Sequence, residues 1–232
     1  MSIGAVRDTA ARQPGESRRR QVRAGVRIEI VTVLWMTIEA AVGIGAGVIA
    51  RSVLLTAFGL DSVIELVTGA ALLWRLRAEA QDGSLARVEW AERRAAWIAG
   101  AGLALLCAYV LILSSASLLT RTRPDASPVG IGLAAIALVG MPLLAWRKRH
   151  IAAAIESPAL RGDAACSITC AYMAAALLLG LLARALLGWW WADGVAALAL
   201  LYWLVPEARE ALGGARSGRA ACSCGDEDGC AD

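Results

Sequence analysis

Apolar runs of about 20 residues recur along almost the whole of this chain, and no other feature restricts its fold so tightly. A helix needs roughly 20 apolar residues to cross the hydrocarbon of a bilayer. The 232 residues are 58% hydrophobic, with a mean hydropathy of +0.59, and a water-soluble domain would not spread that much apolar sequence through nearly every segment. The chain therefore reads as an all-α membrane protein with six spans, at about 28–50, 54–76, 95–119, 129–146, 162–187 and 189–205. A basic segment, 1–27, precedes this transmembrane domain of 28–205, and a short Cys-rich tail, 206–232, follows it and is expected to lack order.

The head has no short apolar core followed by a small-residue cleavage site, so the first span is expected to be retained. Lys and Arg then orient the spans. Of the 23 basic residues, 19 fall on the side of the N-terminus and four (Arg51, Arg121, Arg123, Arg184) on the other. The positive-inside rule places both termini in the cytoplasm. Trp189 to Trp191 fall at the outer interface and Trp74 and Trp146 at the inner one, as an aromatic belt requires. All of the basic residues but Lys148 are Arg, which reads as a bias of composition.

Charge inside a span is expensive, so an intramembrane acid is a functional candidate by default. The second span holds Asp61 and Glu65, four residues apart and hence on one face of a helix. The fifth repeats the spacing with Cys166 and Cys170. Two such pairs on facing helices could supply four donors to one ion. Carboxylates with thiolates suit Zn²⁺, and the sulfurs extend the range toward Cd²⁺ or Hg²⁺. Ligands shed protons to bind, so loading and reprotonation provide a basis for metal–proton exchange.

Each candidate has a plainer reading. Asp61 and Glu65 could be a polar pair bonded to a neighbouring helix, and the cysteines could be small residues at a helix contact. Glu39, near the middle of the first span, is either a proton relay or gate, or a hydrogen-bonding partner of another helix. Asp163 is either an acid at the cytoplasmic mouth or an ordinary helix-start acid. His150, the one histidine, reads as a solvated residue of the link between the fourth and fifth spans. Cys107, Cys166 and Cys170 lie inside spans, where free thiols or metal ligands fit better than a disulfide framework. Cys222, Cys224 and Cys230, beside Asp226, Glu227 and Asp228, are further candidates for a soft metal.

The six spans divide three and three, and aligning DSVIE (61–65) with CSITC (166–170) matches Ser62 with Ser167. The second and fifth spans run in opposite directions, so the pattern points to an inverted 3+3 repeat with a site at the repeat interface.

At these residues the chain resembles the cation diffusion facilitators, six-span metal–proton antiporters, over about 28–212. That family carries an H/D-x-x-x-D pair on its second helix and a similar pair on its fifth. AFGLDSVIE is similar to the first pair, with Glu65 in place of the second Asp. GDAACSITC is similar to the second context through Gly162, Asp163 and Ala164, with Cys166 and Cys170 at the ligand positions. WWWADGVAALALL is similar to the family's W-x-D-P-x-x-A opening of the sixth helix, with Gly194 in place of Pro. Cysteine at both fifth-helix positions points toward a softer ion than zinc alone. The residues after Pro206 number 26, too few for the cytoplasmic C-terminal domain that most members carry.

Together these observations and the resemblance imply a non-enzymatic, proton-coupled divalent-metal transporter working by alternating access. Asp61, Glu65, Cys166 and Cys170 would hold the ion (Zn²⁺, or Cd²⁺, Co²⁺ or Hg²⁺), with Asp163 and Glu39 as accessory groups. The expected setting is a bacterial inner membrane, with export from the cytoplasm. Its partners would be metal ions, protons, lipid and a second copy of the chain, with no nucleic acid and no permanently bound cofactor. The alternative is a non-transporting metal-binding or sensor protein of the same fold.

Overall fold

A backbone that crosses hydrocarbon must satisfy its own hydrogen bonds, and a helix does so within one segment. The computed structural model describes residues 14–80, 85–155 and 157–217. Its regular elements there are six helices: α1 (Pro14–Ala50), α2 (Val53–Ala80), α3 (Leu85–Leu119), α4 (Pro128–Ile155), α5 (Pro158–Leu187) and α6 (Ala192–Ser217). The six-helix membrane architecture read from the sequence is the one observed. Five of the helices, α1 to α5, are long and apolar enough to cross a bilayer. In α6 the charge-free stretch between Asp193 and Glu207 covers only 194–206.

The helices outrun the apolar spans, and this corrects three sequence expectations. RKRH, read as a polar link, is part of α4, which continues to Ile155 before α5 begins at Pro158. Most of the polar stretch 75–94 belongs to the end of α2 and the start of α3. Pro206, read as the end of the sixth span, lies inside α6. The cause is common to all three. Arg, Lys and Glu form helices well, so a change of polarity marks the edge of the hydrocarbon and not the end of a helix. Cys222, Cys224 and Cys230 lie outside the described residues.

Successive helices alternate in direction, so the start of α1 and the end of α6 share one end of the bundle, hereafter the inner end. Helix α1 packs on α2, α4 on α5, and α3 on α6; α2 also meets α3, as α5 meets α6, and α1 meets α4, as α2 meets α5. These pairings are matched when α1, α2 and α3 are exchanged for α4, α5 and α6, although α2 also meets α6 without an equal contact between α5 and α3. Ser62 and Ser167, matched in the alignment, do the same thing in each half. Both are buried and donate to the carbonyl four residues back, of Phe58 and Asp163 respectively.

Helices α2 and α5 are the central pair, with 50% of their spans buried against 22% for α3. In α1 the glycines of GIGAG allow close approach. A Cβ on Gly43 would sit 2.9 Å from the Cα of Gly59 in α2, and one on Gly59 would sit 2.5 Å from the backbone nitrogen of Ile44. Substitution at either must push the two helices apart.

The outer end is pinned by polar contacts. Helix α2 starts after the tight turn at Arg51, whose φ of 54° is left-handed. Asp193 at the start of α6 accepts hydrogen bonds from the Ser52 hydroxyl and from the backbone N–H groups of Val53 (3.0 Å) and Leu54 (3.4 Å). Ser52 Oγ in turn accepts from Leu55 N at 3.0 Å. Orphan donors at a helix N-terminus want an anion or a capping oxygen, and here the neighbouring helix supplies it. Arg184 of α5 donates to the Pro124 carbonyl at 2.8 Å, tying α5 to the α3–α4 loop.

Candidate functional site

The buried line of α2 runs Leu54, Phe58, Asp61, then Leu72 and Leu76, with Glu65 and Gly69 continuing the same three- and four-residue spacing. The acids therefore occupy positions that helical periodicity reserves for the core. Asp61 is 4% exposed. On α5 the equivalent line passes Cys166, Cys170, Met173, Leu177 and Leu181, all buried, with Asp163 one turn before Cys166.

These two lines face each other across a cavity. Its polar lining comes from Asp61, Glu65 and Thr68 of α2, Asp163, Cys166 and Ser167 of α5, and Glu207 of α6; Met36, Ile64, Ala99, Leu103 and Ala211 supply the apolar wall. The free volume is about 30 Å³, room for roughly two waters or a small ion and not for an organic substrate. Four carboxyl groups and a thiol line this small space.

The sequence candidates divide here. Asp61, Glu65 and Cys166 line the cavity. Cys170 does not; its thiol donates to Glu65 Oε1, and to the Cys166 carbonyl at 3.1 Å, bridging α5 to α2 behind the site. Asp61 Oδ1 has no hydrogen-bond partner among the described residues. No three His, Cys, Asp or Glu side chains among the described residues converge closely enough to hold an ion as they stand. Cys107, Cys166 and Cys170 form no disulfide among the described residues.

Of the accessory candidates, Asp163 lines the cavity and pairs with Lys148 of α4. Glu39 is 1% exposed and stands apart from the lining, with neither carboxylate oxygen hydrogen-bonded among the described residues. The reading of Glu39 as a hydrogen-bonding partner of another helix is not what the structure shows. His150 is an exposed residue of α4, not of a loop, with its ring edge-on to Trp146 at 4.7 Å.

Three polar residues escaped the sequence reading. Glu207 was assigned to the tail because Pro206 was taken as a stop, although buried Leu204, Ala208 and Ala211 carry the helical period past it. Lys148 was counted with the solvated charges of a link, yet it is fully buried; without it, 18 of the 22 remaining basic residues still favour the inner end. Glu29 was overlooked at the edge of the first span. It continues the stripe Glu29, Thr32, Met36, Glu39, every member of which is buried.

Fold and site together define a multi-pass membrane protein whose central helices line an acid- and thiol-bearing cavity. The sequence model of the cation efflux transmembrane domain matches residues 30–212. The chain belongs to the cation efflux family, the cation diffusion facilitators, which are metal-cation transporters and not enzymes. No curated protein matches the sequence.

Proposed function

We propose that this protein is a proton-coupled exporter of divalent metal ions, with Asp61, Glu65 and Cys166 as the first ligands and Cys170 joining them when its thiol leaves Glu65. The observation that carries the reading is the shared cavity: three acids from two different helices, α2 and α5, and a thiol from α5 face one space of ionic size. Mixed carboxylate and thiolate donors favour Zn²⁺ and Cd²⁺ and extend toward Hg²⁺, with Co²⁺ also within range. Each ligand must be deprotonated to bind, so entry of metal expels protons and their return expels metal. Glu39, buried at about the depth of Asp61 and Glu65, is suited to hold a proton beside the site. The repeat architecture supports alternating access, since binding at a repeat interface lets one half rock against the other. A bacterial inner membrane, export from the cytoplasm and a homodimer complete the reading.

The test is metal flux into proteoliposomes under an imposed pH gradient, comparing Zn²⁺, Cd²⁺, Co²⁺ and Hg²⁺. Gradient-driven flux that Asp61→Ala abolishes is the expected result. Stoichiometric binding without flux of any ion would leave a membrane metal sensor. Flux and binding that survive Asp61→Ala would place the site elsewhere.

A further inference from the structure

Lys148 is the only lysine of the chain and, among the described residues, the largest fully buried side chain, while its neighbours Arg147 and Arg149 are exposed. A buried ammonium must be paired, and this one is paired twice. Its Nζ bonds Asp163 Oδ2 of α5 and lies 3.3 Å from Glu29 Oε2 of α1. Glu29 has no exposure and is backed by α2 at Gly69, where an added Cβ would come within 3.1 Å of Glu29 Oε1. Along their helices the three residues share one depth. Glu29 and Lys148 each lie about 30 Å from the outer end of their helix, and Asp163 lies about 8 Å from the inner end of its own.

One lysine thus stands between two carboxyl groups, and the two differ. Glu29 belongs to the triad alone. Asp163 also lines the cavity with Asp61, Glu65 and Cys166. A single carboxylate serves both the buried ammonium and whatever cation enters the cavity. The ammonium is a compact charge on a flexible four-carbon stem, so it can release Asp163 and remain paired with Glu29.

We infer that Lys148 is a tethered competitor of the transported ion, holding Asp163 while the cavity is empty and withdrawing onto Glu29 when a divalent cation takes Asp163. This rests on the metal-binding reading above and adds a consequence. The Lys148–Asp163 pair ties α4 to α5, whereas the Lys148–Glu29 pair ties α4 to α1. Loading the cavity therefore removes the charged tie between α4 and α5, whose inner ends stay joined by the short link at Ser157 and by the packing of Ala152 and Ile155 with Leu160, and leaves the tie between α4 and α1. Ion occupancy becomes a change in which helices are held together, which is what alternating access needs.

The test uses the full chain in nanodiscs, with two readouts: Zn²⁺ affinity by titration, and the rate at which a charged thiol reagent modifies Cys166, read by mass spectrometry in metal-free protein. The paired substitution Glu29→Gln with Lys148→Met removes one charge of each sign and leaves Asp163 uncontested. It should tighten Zn²⁺ binding by about tenfold and speed Cys166 modification. Lys148→Arg, whose planar fork holds a carboxylate more firmly, should weaken Zn²⁺ binding. A folded double variant with unchanged or weaker affinity and unchanged Cys166 reactivity would overturn the inference. If the double variant does not fold, Lys148→Arg decides, and unchanged or tighter binding in it would overturn the competition. Wild-type protein that binds no Zn²⁺ would overturn the site reading and the inference together. Binding that needs Asp61 and ignores the Lys148 variants would overturn the inference alone.

Discussion

The outer end of α2 and a point two turns further in treat a buried carboxylate in opposite ways. At the outer end, Asp193 is 3% exposed and accepts from one hydroxyl and two backbone N–H groups. Two helical turns further in, Asp61 is 4% exposed with Oδ1 unbonded among the described residues. Burial is the same and satisfaction differs. A carboxylate whose bonds are met holds two helices together. One kept unmet in the interior carries a free-energy cost that only a ligand or a proton can relieve.

The largest effect expected from this contrast is at Asp61. Asp61→Ala should reduce gradient-driven metal flux to background in proteoliposomes, while the melting temperature in detergent stays level or rises because an unmet buried acid is gone. A marked drop in melting temperature would show that Asp61 is structural after all, and the contrast with Asp193 would fail. Next comes Asp193→Ala, which strips the cap from α2 and should cost about 1–2 kcal/mol. Thermal unfolding in detergent measures it, and Zn²⁺ binding by the protein that remains folded should persist.

Smaller effects sharpen the comparison within the cavity. Cys166→Ser should lower Cd²⁺ affinity by about tenfold or more and shift the ion ranking toward Zn²⁺. Cys170→Ser keeps a donor for Glu65 and should shift the ranking less. Competition titrations with both ions would reveal a reversed order. The smallest effect belongs to the exposed pair Arg51–Asp125, 3.4 Å apart with side chains 71% and 63% exposed. Asp125→Ala should change stability by no more than about 0.5 kcal/mol, a control at the same end of the bundle as Asp193.

Much of the fold was legible because hydrocarbon imposes a simple rule on sequence. Apolar length marked five segments outright and a shorter sixth beside them, and the four-residue spacing of Asp61 with Glu65 and of Cys166 with Cys170 marked the faces that meet. Helix ends were not legible from the same signal, since polarity reports the solvent around a helix and not its hydrogen bonds. That is why Glu207 and Lys148 were assigned to a tail and a link. Both carried a usable sign: Glu207 sits on the period of Leu204, Ala208 and Ala211, and Lys148 is the one lysine where every other basic residue is arginine.

By itself, then, the sequence determined the membrane class, the number of helices, the four-residue spacing of Asp61 with Glu65 and of Cys166 with Cys170, and the family resemblance. All of these depend on composition and on spacing along one helix. Only the tertiary structure decided that Cys166 faces the cavity while Cys170 bonds Glu65, that Asp193 caps a helix more than a hundred residues away, and that Lys148 stands between Glu29 and Asp163. Each of those depends on how separate helices are rotated and set in depth against one another. Close packing across the whole bundle fixes rotation and depth, and no single segment records them.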